Sequence, residues 1–351
     1  MKIPKSLISI NSFILITFLM PVIYMLWRFV NFSRSLSSFF QSWDVFGLLF
    51  NTISVFIAVV ISSLIVGLLI SIVTVRFEFA GSKILFTLCA LPLVIPSYIG
   101  ALTYISAFSP KGLFVQLFNS LGLEEIAGID GFLGSWLVLT LFTYPYVQLI
   151  CSSALRNLDS TVEDAARSLG VSQLKVYTNV VIPRLKKPII YSGLLVGLYV
   201  ISDFGAVSLM RYSTVTKAIY AYYEFSILGD PVIFYSSLLI VLALIISFVQ
   251  RGSATSRSAK VSGTPRVPKK IKLERSGKML TYSFLGFVIL LGLIIPISVL
   301  SFWLLRGIYY GNDVSSSLPG IFGSFSAAIV TSIFAIIISV SYTHLRAHET
   351  R

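Results

Sequence analysis

The sequence predicts an all-α bundle of membrane-spanning helices, and two observations carry that reading. Of the 351 residues, 56% are hydrophobic and only 12% charged, with a mean hydropathy of +0.89. A soluble chain of this length needs far more polar surface to stay dissolved. Apolar runs of roughly 20 residues, the length one helical span requires, also recur from one end of the chain to the other.

Taken in order, spans are expected near 7–27, 51–75, 84–108, 132–155, 189–210, 232–250, 279–303 and 322–341, about eight in all. The first follows Lys2 and Lys5 as a secretory leader would, but it is too long. It also holds Pro21 and Trp27, and no small-residue cleavage site follows it, so it is read as a retained helix. Pro92, Pro96 and Gly100 are expected to break the third span, and Pro145 the fourth. The default role of tyrosines such as Tyr98, Tyr104, Tyr144, Tyr146 and Tyr220 is belting at the membrane interface.

A net charge of +13 raises the question of nucleic acid, but the distribution of the charge answers it. With the N-terminus inside, the inward segments hold Lys2, Lys5, Arg76, Lys83, Arg156, Arg167, Lys175, Arg184, Lys186, Lys187 and the whole basic run of 251–278. The outward segments hold only Arg28, Arg34, Lys111, Arg211, Lys217 and Arg306. This is the bias of an inner-membrane protein with a cytoplasmic N-terminus and a cytoplasmic 156–188 segment; no nucleic-acid partner is expected, and membrane lipid is. Cys89 and Cys151 fall inside spans and are read as buried free thiols. His344 and His348 have no third ligand near them, so no metal site and no cofactor are expected.

The Ser/Lys/Arg/Pro-rich stretch 251–278 cannot bury an apolar face and reads as a cytoplasmic linker. It separates a first half, 1–250 with six spans, from the opening of a second, 279–340 with two. Phe13 to Trp27 and Phe284 to Arg306 are both apolar, carry a proline and end near Trp and Arg. That shared order suggests an internal repeat. The tail 341–351 breaks character and resembles translated sequencing-adapter read-through, so the native chain is expected to continue differently.

Between the spans lies a polar, capped segment. Ser160 and Glu163 have the spacing of a capping box, so a helix is expected from about Thr161. Asp159, Glu163 and Asp164 suit its positive N-terminus, and Gly170 should end it in the left-handed conformation. Ser172 can cap a second helix that Pro183 stops. Ala165, Ala166, Leu169, Val176 and Val180 would then form an exposed ridge, suited either to docking a partner or to lying on lipid headgroups.

The string Asp164-Ala165-Ala166, Gly170 after three residues and Val180-Val181-Ile182-Pro183 after nine more resembles the coupling motif of importer-type ABC permeases. Asp stands for the family's Glu, Val for Ile and Ile for Leu. Pro92 to Tyr104, Gly134 to Pro145, and Asp203-Phe204-Gly205-Ala206-Val207-Ser208 with Thr216 to Tyr220 are similar to the fused permeases of ferric-iron-type importers. The resemblance implies a type I ABC importer permease with two six-span halves in one chain. It further implies a cytoplasmic ABC ATPase dimer that docks on Glu163, Asp164, Ala165, Ala166, Leu169, Gly170, Val180, Ile182 and Pro183. A periplasmic or lipid-anchored solute-binding protein would deliver the cargo, most often ferric iron, to the outer face.

Asp203 sits about 14 residues into a predicted span, about 21 Å from its inner end. Intramembrane acids often face a polar path, so Asp203, Phe204, Gly205, Pro96 and Tyr98 are candidate solute-path residues. The bland alternative is an acid near a helix end, satisfied locally. No Gly-rich phosphate loop occurs, which assigns ATP binding to another chain. A stand-alone secondary transporter or channel, or an importer of thiamine-like or phosphonate-like solutes, stays open. An enzyme is disfavoured, because no paired carboxylates or nucleophile–base arrangement is present.

Overall fold

The computed structural model describes residues 5–31, 44–109, 112–120, 128–159, 161–225, 229–254, 270–311, 313 and 315–349. Helices dominate: α1 (Lys5–Val30), α2 (Val45–Arg76), α3 (Ser82–Ala90), α4 (Ser97–Ala107), α5 (Leu113–Ser120) and α6 (Gly131–Arg156). Then come α7 (Thr161–Ser168), α8 (Gln173–Val176), α9 (Ile182–Arg184), α10 (Lys186–Ser202) and α11 (Gly205–Leu209). The remainder are α12 (Val215–Phe225), α13 (Asp230–Ala254), α14 (Arg275–Ile289), α15 (Ile295–Tyr309) and α16 (Leu318–Glu349). Among the described residues, five helical stretches are long and apolar enough to cross a membrane, or seven if two bent pairs each count as one span. Two compact units result, Met1–Val299 and Leu300–Arg351.

The first unit is organised around α6, the most deeply buried span, with α2 and α10 packed on it and on each other. Small residues set the α2–α6 approach. Ser63, Gly67 and Ser71 are spaced four apart, so they share one face of α2. A Cβ on Gly67 would lie 2.6 Å from Val147 Cβ and 2.7 Å from the Tyr144 carbonyl oxygen. Hydroxyls flank that close contact: Ser63 and Thr143 pair at 2.9 Å, and Ser71 donates to the Gln148 carbonyl at 2.9 Å. Small residues and interhelical hydrogen bonds are what holds helices together where lipid removes the hydrophobic drive. Gly193 and Gly197 of α10 receive Leu64 and Phe56 of α2 in the same way.

The prolines act differently from one another. Pro145 and Pro21 are carried inside continuous helices, so the expected break of the fourth span does not occur. Neighbouring groups in a packed bundle can tolerate one lost N–H. Pro96 does break its span: Ser82–Val94 and Ser97–Ala107 meet at 94°. Pro183 and Pro296 share a third behaviour. Each lies two residues beyond a π turn, Tyr177–Val181 and Leu290–Ile294, where Ile182 and Ile295 donate five residues back to Tyr177 and Leu290. The proline ring collides with the carbonyl four residues before it, and widening the turn relieves that clash without ending the helix. Pro183 therefore does not stop its helix, which runs on to Arg184; the 62° bend follows at Leu185.

The predicted span 189–210 also divides. α10 ends at Ser202, Asp203 is extended, and α11 starts at Gly205. Asp203 thus stands at a helix end rather than well inside a helix. At the other end of α2, Phe77–Glu78 (β1) pairs in parallel with Ile271–Lys272 (β2), in the register Phe77 to Ile271 and Glu78 to Lys272. The stretch read as a linker accordingly has order at both margins: α13 reaches Ala254, and α14 begins at Arg275, while 255–269 lie outside the described residues. α14 packs on the first half through Leu285, Val288 and Ile289, which share a core with Ile70, Cys89 and Tyr144. In the second unit α16 runs through the tail to Glu349.

Candidate functional site

Two sites gather the residues singled out by sequence. The first is the polar segment 161–184. Ser160, the expected cap, lies outside the described residues. Asp159 Oδ1 accepts the Thr161 N–H at 3.1 Å and the Thr161 hydroxyl at 2.7 Å. At the other end Gly170 has φ +76°; its N–H donates to the Arg167 carbonyl at 2.9 Å, and the Val171 N–H to the Ala166 carbonyl at 3.1 Å. Those paired bonds across a left-handed residue are a Schellman cap. The bend expected at Gly170 is therefore built as the spacing implied.

Glu163 is 1% exposed, and its carboxylate accepts from Arg76 Nη2 at 2.8 Å. Arg76, itself 2% exposed, closes α2. Arg167, one turn on, lies 3.9 Å from the second carboxylate oxygen. Glu163 is thus the tether that holds α7 on the bundle; the capping box expected of it falls on Ser160, outside the described residues. Among the described residues the Arg76 Nε and Nη1 groups find no acceptor, so the pair is only partly satisfied. A second tie runs from Arg184 Nη1 to the Asp159 carbonyl at 3.2 Å and closes the base of the segment.

The ridge is narrower than the sequence suggested. Leu169 is 83% exposed, and Ala165, Asp164, Gly170 and Pro183 are exposed as well. Ala166, Val180 and Ile182 are half-buried. Val176 is fully buried, in a cluster with Leu155, Tyr177, Val181 and Leu185. Val176, expected on the exposed ridge, packs into the bundle instead, because it sits in an apolar cluster with both neighbouring spans. Val162 and Val171, exposed beside Leu169, extend the patch and were missed.

The second site is where two helix breaks meet. Ser97, just after Pro96, donates its hydroxyl to Asp203 Oδ2, and Asp203 Oδ1 accepts the Ala206 N–H at 2.9 Å. The Asp203 carbonyl accepts from the Thr216 hydroxyl at 2.8 Å. Gly205 is pressed on Tyr98, where an added Cβ would lie 2.6 Å from Tyr98 Cβ. Phe204 packs on Tyr220 with ring centroids 4.5 Å apart. Pro96, Tyr98, Asp203, Phe204 and Gly205 are thus brought together, with both Asp203 oxygens engaged and the residue 9% exposed. Sequence reading missed Ser97 as a donor to the acid; an Asp two residues before a Gly at the end of an apolar run was the available signal.

Comparison with known proteins bears on the family of the chain. The family described as the binding-protein-dependent transport system inner membrane component matches residues 7–256. The Fe(3+)-transport system permease protein FbpB 2 of Haemophilus influenzae is 28% identical over 314 residues, covering 87% of this chain and 58% of that protein. The putrescine transport system permease protein PotI of Escherichia coli is 35% identical over 132 residues, 37% of this chain and 44% of PotI. The chain therefore spans between two fifths and three fifths of the length of these relatives. A solved bacterial alginate ABC transporter, in complex with an alginate pentasaccharide-bound periplasmic protein, superposes with a TM-score of 0.59 at 14% identity. That match covers 72% of this chain and 93% of the other, a likeness of fold.

Proposed function

As the chain belongs to the family of binding-protein-dependent transport system inner membrane components, we propose that it moves ferric iron into the cytoplasm as the permease of a type I ABC importer. Transport is by alternating access, with ATP hydrolysed on a separate ATPase dimer and solute delivered by a binding protein. The observation that carries this reading is the exposed Leu169 patch, on a short helix anchored to the bundle through the buried Glu163–Arg76 pair. A docking surface that must transmit force needs both parts: an apolar contact for the partner and a rigid tie to the spans.

In this reading ATP-driven closure of the ATPases pulls on 161–184. The pull passes through Arg76 to α2 and through Leu185 to α10, whose far end is the Asp203 break. The broken α3–α4 and α10–α11 pairs, latched by Ser97 and Asp203, are the elements that change angle. Asp203, Phe204, Gly205, Pro96 and Tyr98 line or gate the solute path. Ferric iron is favoured over other cargo because the iron permease is alike over 87% of this chain, the putrescine permease over 37%.

The test is uptake into proteoliposomes containing the permease, its ATPase and its binding protein. Gly170→Leu should leave ATP hydrolysis running while ferric-iron uptake falls at least tenfold, because a side chain at φ +76° distorts the cap and the docking angle. Unaltered uptake would overturn the coupling role. Uptake that proceeds without any ATPase would favour a stand-alone transporter instead.

A further inference from the structure

Beyond the transport path, the end of the bundle next to the coupling segment holds a cavity of about 460 Å³ that neither proposed site uses. Its walls carry three cations, Lys83, Arg156 and Lys270, together with the hydroxyls of Ser82 and Thr87, and among the described residues no carboxylate lines it. Among the described residues none of the three cations is in an ion pair. Arg156 is steadied instead by the Phe86 ring, 5.0 Å from its guanidinium carbon. Lysines and arginines are common on an inward membrane face, but scattered cations do not by themselves form a concave, acid-free pocket.

The backbone adds to the same field. Ser82 opens α3 and Lys83 lies in its first turn; the helix begins at Gly81, φ +73°, with no side chain capping it. The first N–H groups of this nine-residue helix are left for an outside acceptor, and helix N-termini favour anions. Exposed apolar side chains stand on the same helix and on its neighbour. Ile84, next to Lys83, is exposed, as are Met279 and Leu280 on α14, the helix packed against α3.

We propose that this cavity binds a phosphate-bearing anion, the headgroup of an anionic phospholipid, with the lipid chains lying along the Ile84, Met279 and Leu280 surface. Basic pockets between spans on the inward side are suited to such headgroups, whereas a zwitterionic lipid would bring a cation into a site already rich in them. The position gives the site a consequence. Val75 lines the cavity and also packs in the cluster under Val176, Tyr177 and Val181, and Arg156 follows Leu155 of that cluster. A seated headgroup therefore braces the platform on which the coupling segment rests. This inference rests on the cavity alone and stands whether the cargo is iron or another solute.

The experiment is native mass spectrometry of the purified full chain, titrated with dioleoyl phosphatidylglycerol, dioleoyl phosphatidylcholine or inorganic phosphate. Wild type should bind phosphatidylglycerol at least tenfold more tightly than phosphatidylcholine. Lys83→Gln/Arg156→Gln/Lys270→Gln should erase that preference. Lys175→Gln/Lys186→Gln, which removes inward charge outside the cavity, should keep affinity within twofold. Lys270→Gln alone, at an exposed residue whose loss does not threaten folding, should weaken binding about threefold. Inorganic phosphate that competes at millimolar concentration in wild type but not in the triple variant would support the anion site and make the free ion its occupant. Phosphatidylglycerol affinity equal in wild type, Lys270→Gln and the triple variant would overturn the proposal.

Discussion

Glu163 and Asp203 are both nearly sealed from solvent, yet they are held in different ways. Glu163 is paired with a buried guanidinium 87 residues earlier in the chain, and that guanidinium has few other partners. Asp203 is surrounded by neutral donors, the Ser97 hydroxyl and the Ala206 N–H. A tether between two charges is rigid, and breaking it on one side strands the other charge in a dry place. A carboxylate held by neutral donors can be loosened at lower cost. The contrast matches what each place must do if the proposed mechanism holds: transmit force at the coupling end, change angle at the breaks.

The largest effect should come from the tether. Glu163→Gln should destabilise the purified chain by about 3–5 kcal/mol, the range for stranding one buried partner, read by thermal unfolding in detergent. Arg76→Met/Glu163→Leu should recover most of that loss, since an apolar pair has nothing to leave unpaired. A single-variant loss under about 1 kcal/mol would mean that solvent reaches Arg76, and the contrast would collapse. Next, Asp203→Ala should cost about 1–2 kcal/mol, as lost caps do, with Asp203→Asn costing less because its side-chain oxygen can still accept from Ala206. Equal losses at Glu163 and Asp203 would remove the distinction between the two ends.

Gly170→Ala should cost about 1 kcal/mol, all of it conformational, because nothing lies within 4 Å of an added Cβ there. The smallest effect on stability belongs to Leu169→Ser, under about 0.5 kcal/mol as for other exposed positions. Its ATPase stimulation should nonetheless fall severalfold. Together those two variants separate the shape of the segment from the surface it offers.

How far these features were legible depended on how far away the partner lay in sequence. The Gly170 cap is formed within five residues, so spacing alone revealed it. The Glu163–Arg76 pair was not legible, because Arg76 is remote in sequence and looked like one more inward positive charge. The end of α10 was hidden for another reason: Asp203 sits in a run so apolar that the expected span continues through it to residue 210. Pro96 and Pro145 looked equivalent, yet one bends a span by 94° and the other rides inside α6. A proline removes a donor wherever it stands, and the packing around it decides the outcome. The candidate partners of the segment were legible only through the motif's resemblance, since exposure of Leu169 does not say what covers it.

The most direct measurement is therefore the labelling of Leu169→Cys with a water-soluble maleimide, with and without the ATPase subunit. The native thiols Cys89 and Cys151 are buried and should stay silent. Labelling of the permease alone should be rapid, and binding of the ATPase should protect the site at least tenfold. Equal labelling rates in both states would contradict the claim that this patch is where the ATPase docks.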